Sequence, residues 1–151
     1  MLAFLLLIAA SCSQQKTVRF GICADVHKDV MHDADQRLQA FVHEMKKTDV
    51  DFIIELGDFM QPQEYNASFL NVWKSFEGPS FHVLGNHDMD NDTGERYLRD
   101  HTVSYLDMPA RHYSFDMKGF HFIVLDGNDQ KNPPQSGYAR YMGEEQLEWL
   151  R

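Results

Sequence analysis

Only two cysteines, Cys12 and Cys23, occur among the 151 residues, so neither a disulfide framework nor a cysteine-rich zinc site can be assembled. Basic residues are scarce as well. The 14 Lys and Arg against 23 Asp and Glu give a formal net charge of -9 and a sequence pI near 5.2, which excludes the broad positive footprint that DNA or RNA demands. Missing too are the Gly-x-x-x-x-Gly-Lys-Ser/Thr loop of nucleotide triphosphatases and the Gly-x-Ser-x-Gly elbow of serine hydrolases, and nothing repeats at a fixed period. What remains is the composition of a packed globular chain. With 43% hydrophobic, 13% aromatic and 25% charged residues it has material for one domain, and neither disorder nor a fibrous repeat is indicated.

One long apolar run stands at the start, MLAFLLLIAA over residues 1–10. It has the length of a signal-peptide core and is too short to span a bilayer. The small residues that follow, Ala9-Ala10-Ser11-Cys12, resemble a bacterial lipobox, in which the cysteine becomes a lipidated first residue, although no leucine stands three positions before Cys12 and no Lys or Arg precedes the run. The expected layout is therefore a leader or lipoprotein anchor with a polar link over 1–16 and a domain over 17–151. Such a protein is exported, either periplasmic or held at a bacterial membrane by a lipid. Cys23, inside an apolar run, reads as a small buried hydrophobe.

Strand-like runs are expected over 17–24, 51–56 and 80–84, with helices over 33–47 and about 66–76 between them. In the first helix Leu38, Phe41, Val42 and Met45 recur at helical spacing, and Lys46 and Lys47 complement the C-terminal end of its dipole. Strand, helix, strand, helix, strand implies a parallel sheet with right-handed crossovers. Residues 111–116 and 120–126, separated by Gly119, read as an antiparallel hairpin or neighbouring strands. Residues 132–137 read as a loop and 143–151 open another helix, which continues to Arg151 without a stop signal.

Each of the three strand-like runs ends in residues able to hold a metal. Asp25-Val26-His27 follows the first, Gly57-Asp58 the second, and Gly85-Asn86-His87-Asp88 the third. In a parallel sheet the C-terminal strand ends share one edge, so clusters distant in sequence converge there. Strand alternation sends Asp25 and His27 to one side and Val26 to the other. Glycines before Asp58 and Asn86 allow a sharp strand exit and close backbone approach. Aspartate, histidine and asparagine form a mixed oxygen and nitrogen set, better matched to Mn, Fe or Zn than to Ca. Separately these signals are weak, since Asp-x-His recurs by chance and Gly-Asp is a common turn. Their order and their strand-end positions make them specific.

On these residues the chain, from about Val18 to Arg151, resembles the calcineurin-like metallophosphoesterase superfamily. The resemblance implies an α/β fold of mixed, largely parallel sheet layers sandwiched by helices, in four layers, with its C-terminal part missing from this chain. It implies hydrolysis of a phosphomonoester or phosphodiester by a hydroxide held between two divalent transition metals. Asp25 and His27 would hold the first metal, Asp58 would bridge both, and Asn86 would serve the second metal and the substrate phosphate. His87 would protonate or stabilise the leaving oxygen, with Asp88 hydrogen-bonded to it and fixing its orientation. The family's later histidine motifs have no counterpart before Arg151, so a fragment, nearly inactive alone, is expected. The partner implied is a small-molecule phosphate ester; the sequence leaves oligomeric state open.

Gly57-Asp58 continues as Phe59-Met60-Gln61, which disfavours the protein serine/threonine phosphatase subclass, and the purple acid phosphatase pattern is absent. The other class of function in view is a surface-tethered protein that binds a phosphate ligand without turnover. His82 is expected to be a satisfied structural histidine. Asp90 and Asp92 read as part of a solvated loop and helix cap, while Asn128, Asp129 and Tyr138 are candidates for the cleft edge. Phe69, Leu70, Trp73 and Phe76 read as core.

Overall fold

Three short runs of branched and aromatic residues, β1 (Phe20–Cys23), β2 (Phe52–Glu55) and β3 (Ser80–His82), lie parallel in the order β1-β2-β3. Helices α1 (Ala34–Met45) and α2 (Ala67–Lys74) make the two crossovers between them. The computed structural model describes residues 16–90, 99–129 and 140–151. The leader, Cys12, Asp92, the 132–137 loop and Tyr138 lie outside the described residues.

Both helices are amphipathic for a visible reason. In α1, Ala34, Leu38 and Val42 recur every fourth residue and are buried; in α2, Phe69, Leu70 and Trp73 do the same work. The expected helices were longer by one or two residues at each end, the usual uncertainty where first and last turns lack hydrogen-bond partners. One helix had no forecast, α3 (Arg99–Tyr105). Its sequence, RDHTVSY, carries too little apolar periodicity to announce itself, and polar contacts add to the packing of Val103 and Tyr105 against the core. Thr102 donates from Oγ1 to the Asp88 carbonyl at 2.9 Å, and the Tyr105 hydroxyl donates to the Gln63 carbonyl at 2.8 Å.

The predicted antiparallel pair is present as β4 (Tyr113–Met117) and β5 (Phe120–Val124), with Tyr113 opposite Val124. Strand alternation decides how the layers stack. Phe20 pairs with Phe52 and Ile54 with Phe81, so Phe20, Phe52 and Phe81 share one face of the parallel sheet. That face meets the hairpin through stacked rings: Phe81 lies 3.6 Å from Phe115, and Phe115 lies 5.0 Å from Phe122. Phe52 meets both hairpin rings edge-on. The opposite face carries Gly21, Ile53, Glu55 and His82 beneath the helices. A side chain at Gly21 would run into Met45 of α1. Helices, parallel sheet and hairpin thus form successive layers of the expected α/β architecture. Helix α4 (Glu144–Leu150) is tied to the end of β5 by Gln146, which exchanges hydrogen bonds with the Asp126 backbone at 2.7 and 2.8 Å.

Asp51 locks the layers at the far end of the sheet. Its carboxylate pairs with Lys118 in the hairpin turn and accepts the Arg19 N–H at 2.9 Å. The Lys118 hydrogen bond, followed by that of Arg19, holds the carboxyl below the ordinary carboxylate range. A carboxyl depressed in the folded state adds stability above its unfolded value and forfeits it as pH falls through the folded value. The thermal midpoint should therefore drop on acidification below about pH 4, and Asp51→Asn should flatten that limb. Identical acid limbs for both proteins in a pH series of melts would contradict this role.

Candidate metal centre

Beyond the strand ends, the first two motif loops stay zipped together by backbone. Asp25 N–H donates to the Gly57 carbonyl, His27 N–H to Asp58 and Lys28 N–H to Phe59, at 3.1, 2.9 and 3.0 Å. Asp25, His27 and Asp58 each adopt a left-handed backbone, with φ of 52, 52 and 55°. Asp and His tolerate that region better than branched residues do, yet it still costs free energy, and such strain concentrates at functional sites. Strand alternation is therefore not what brings Asp25 and His27 together, since neither belongs to β1. Two left-handed residues flanking the buried Val26 give the same result by another route. From α1, Arg37 donates from Nη2 to the Val26 carbonyl at 2.7 Å and fixes the loop.

One ligand atom from each of Asp25, His27 and Asp58 lies within 4.8 Å of the other two. His27 Nε2 is 3.7 Å from Asp25 Oδ1 and 3.7 Å from Asp58 Oδ2. Those separations are too long for hydrogen bonds. They are near the span of about 3 Å or slightly more between two ligands that each sit about 2.1 Å from a shared ion. The donor set of two carboxylates and an imidazole nitrogen fits a divalent transition metal.

The third motif is pressed against the second backbone to backbone. Gly57 has φ +98°, and a Cβ there would stand 2.6 Å from the Gly85 Cα; one on Gly85 would overlap the Asp58 nitrogen. Only glycine at both positions permits this approach. Asn86 follows directly and leads into a short 3-10 turn, His87–Met89, with its side chain not spent on capping that turn. His87 N–H donates to Asp58 Oδ1 at 2.8 Å, leaving Oδ2 turned toward His27. The rings of His27 and His87 are 5.2 Å apart. A small cleft in front is walled by His27, Asp29, Val30, Asp58, Gln61, His87 and Asp90, and no Lys or Arg lines it among the described residues.

The calcineurin-like phosphoesterase model matches residues 18–150. The chain belongs to this family. Among solved structures, this phosphoesterase-family chain is similar to a dimetal phosphatase from Danio rerio, with TM-score 0.63 and 17% identity. The match covers 88% of this chain and 63% of that one, so the likeness speaks for fold and the chain spans less than two thirds of that relative's length. No curated protein matches the sequence.

The calcineurin-like loops differ from expectation at Asp88. It does not orient His87. Its carboxylate is fully buried and accepts four backbone N–H groups, those of Phe59 and Met60 on Oδ1 and of Asp58 and Gly85 on Oδ2, at 2.6 to 3.1 Å. Burial, and Glu55 nearby, push this carboxyl well above the usual range, while the Gly85 and Phe59 N–H bonds pull the other way. Asp88 is thus the clasp between the second and third motifs. Asp90 is the residue at His87, with Oδ2 2.7 Å from Nδ1. Three residues per turn in a 3-10 segment put positions i and i+3 on one side and send i+1 elsewhere, a signal available in the sequence once the turn is known.

Asp90 is therefore not a solvated loop residue as expected, and neighbouring Met89 is buried. Asp29, also unforeseen, accepts the Gln61 N–H at 2.7 Å and the Asn66 amide at 2.8 Å, bracing the cleft wall. Asn128 and Asp129 are not among the described residues that wall this small cleft. Asn128 donates to the Leu84 carbonyl at 3.0 Å, and Asp129 accepts the Gly143 N–H at 2.7 Å. His82 is a buried, partnered histidine, as expected.

Proposed function

We propose that the parent protein is a metal-dependent hydrolase of small phosphate esters, with Asp25, His27 and Asp58 as the first half of its metal shell. The observation that carries this is the clustering of those three donors beside His87 at the C-terminal edge of the parallel sheet. Asp25 and His27 would hold one divalent transition ion, Mn, Fe or Zn, with Asp58 shared between it and a second ion served by Asn86. Bound there, the two ions supply neutralisation of phosphoryl charge and hydroxide at neutral pH. The chain's own residues do the rest. Asn86 can donate to a phosphoryl oxygen. His87 can hand a proton from Nε2 to the departing oxygen, because the Asp90 contact at Nδ1 fixes which nitrogen faces the reaction.

In this proposal the substrate is a small phosphomonoester or phosphodiester. Export, with a lipid anchor at Cys12, remains part of the proposal on the strength of the 1–12 sequence, and no described helix is long and apolar enough to cross a membrane.

The test is hydrolysis of p-nitrophenyl phosphate and its phenyl diester by the full reading frame, before and after chelation. Activity should vanish with EDTA and return with Mn(II). Tight phosphate binding without turnover under every metal would instead mark a tethered binding protein.

A further inference from the structure

We propose that Glu55 and His82 form a buried positioning pair that holds the Asp58 turn in the shape required to receive metal. The proposal rests on the metal reading above. Glu55 is the last residue of β2 and has no exposed surface, on a strand whose other members are Phe and Ile. Burying a carboxyl among apolar neighbours is costly unless both oxygens are hydrogen-bonded. Both are engaged: Oε2 accepts the Gly57 N–H at 2.7 Å, and Oε1 lies 2.8 Å from Nδ1 of His82. His82 stands directly opposite Glu55 in the sheet. Its ring is held between Phe59 and Trp73 at 5.5 and 5.3 Å, and its carbonyl accepts the buried Tyr113 hydroxyl at 2.8 Å. The pair is thereby anchored to α2, β3 and β4 at one end and to a single peptide N–H at the other.

That N–H belongs to Gly57, the residue before Asp58. Gly57 cannot be braced by a side chain of its own, because its close approach to Gly85 forbids one. Asp58 is itself in a left-handed conformation, and its own N–H goes to Asp88 at 3.0 Å. Glu55 thus grips the turn on one side of Asp58's backbone and Asp88 on the other. A packing role alone does not call for this arrangement. An apolar pair of similar volume would fill the same space, but it would leave the Gly57 N–H without its acceptor.

The deciding experiment is Mn(II) titration, followed by calorimetry and by the Mn(II) electron paramagnetic resonance signal. It compares wild type, Glu55→Gln, Glu55→Asp, the double variant Glu55→Leu with His82→Phe, and Asp58→Asn, each with a thermal melt. Gln keeps both contacts, accepting from Gly57 and donating to the other imidazole tautomer. The double variant fills the space with apolar groups and releases the Gly57 N–H from its acceptor. It should stay folded at the titration temperature yet bind Mn(II) about 10 to 100-fold more weakly, with Glu55→Gln within a few-fold of wild type. A folded double variant with wild-type affinity overturns the proposal. Should that variant fail to fold, Glu55→Asp decides, since it keeps the acid but is one methylene too short to reach both partners; about tenfold weaker binding is expected, and unchanged affinity overturns the role. Asp58→Asn separates the two layers of argument. If it too leaves affinity untouched, the metal reading itself has failed; if it alone weakens binding, only the Glu55–His82 role has.

Discussion

Asp58→Asn should weaken Mn(II) binding by more than about 100-fold, beyond the 10 to 100-fold typical of losing a supporting group behind a ligand, and should abolish measurable hydrolysis with it. The size follows from position. Asp58 Oδ2 faces His27 Nε2 at 3.7 Å, and its Oδ1 also receives the His87 N–H, so one carboxylate joins the donor cluster to the third motif. Asn is nearly the same shape and can still accept from His87, which keeps the fold. It lacks the negative charge that a divalent ion needs. Isothermal titration with Mn(II), read beside a thermal melt, checks the prediction. Loss of metal with an unchanged melting point is the expected pattern, and undiminished affinity would contradict it.

His87→Ala should do the reverse: metal occupancy is retained while kcat falls about 100 to 10,000-fold, the range for removing a general acid, or roughly 3 to 5 kcal/mol of barrier. The effect should shrink for substrates whose leaving group needs no proton. A p-nitrophenyl ester should therefore lose less than an alkyl ester, a comparison that separates proton donation from general damage. Asp90→Asn should follow the same pattern more mildly, since the Nδ1 contact at 2.7 Å orients the ring that donates from Nε2. Equal metal loss in His87→Ala and Asp58→Asn would refute the non-ligand role of His87.

Much of this was legible in the sequence because the informative features were backbone signals. Gly57 and Gly85 announced a close approach that the structure shows as two loops in contact, and the strand-end positions of Asp25, His27 and Asp58 announced their convergence. The elements with strong periodicity, α1 and α2, were readable for the same reason. What stayed hidden was contact between residues far apart in sequence or side by side in it. Asp88 adjoins His87 along the chain, yet a tight turn sends it inward to Asp58, Phe59 and Met60, a pairing across about 30 positions that no local pattern encodes. Glu55 shows the opposite problem. A charged residue ending an apolar strand looks exposed until His82 is placed beside it by the parallel register. Helix α3 escaped notice because its anchors, Thr102 and Tyr105, are polar.

The most direct test of the central claim is anomalous diffraction from a crystal of the protein grown or soaked with Mn(II), recorded on both sides of the manganese edge. The account predicts a difference peak about 2.1 to 2.3 Å from Asp25 Oδ1, His27 Nε2 and Asp58 Oδ2 together, on the cleft side of the sheet edge. A strong peak elsewhere, or none at this cluster at saturating Mn(II), would contradict it.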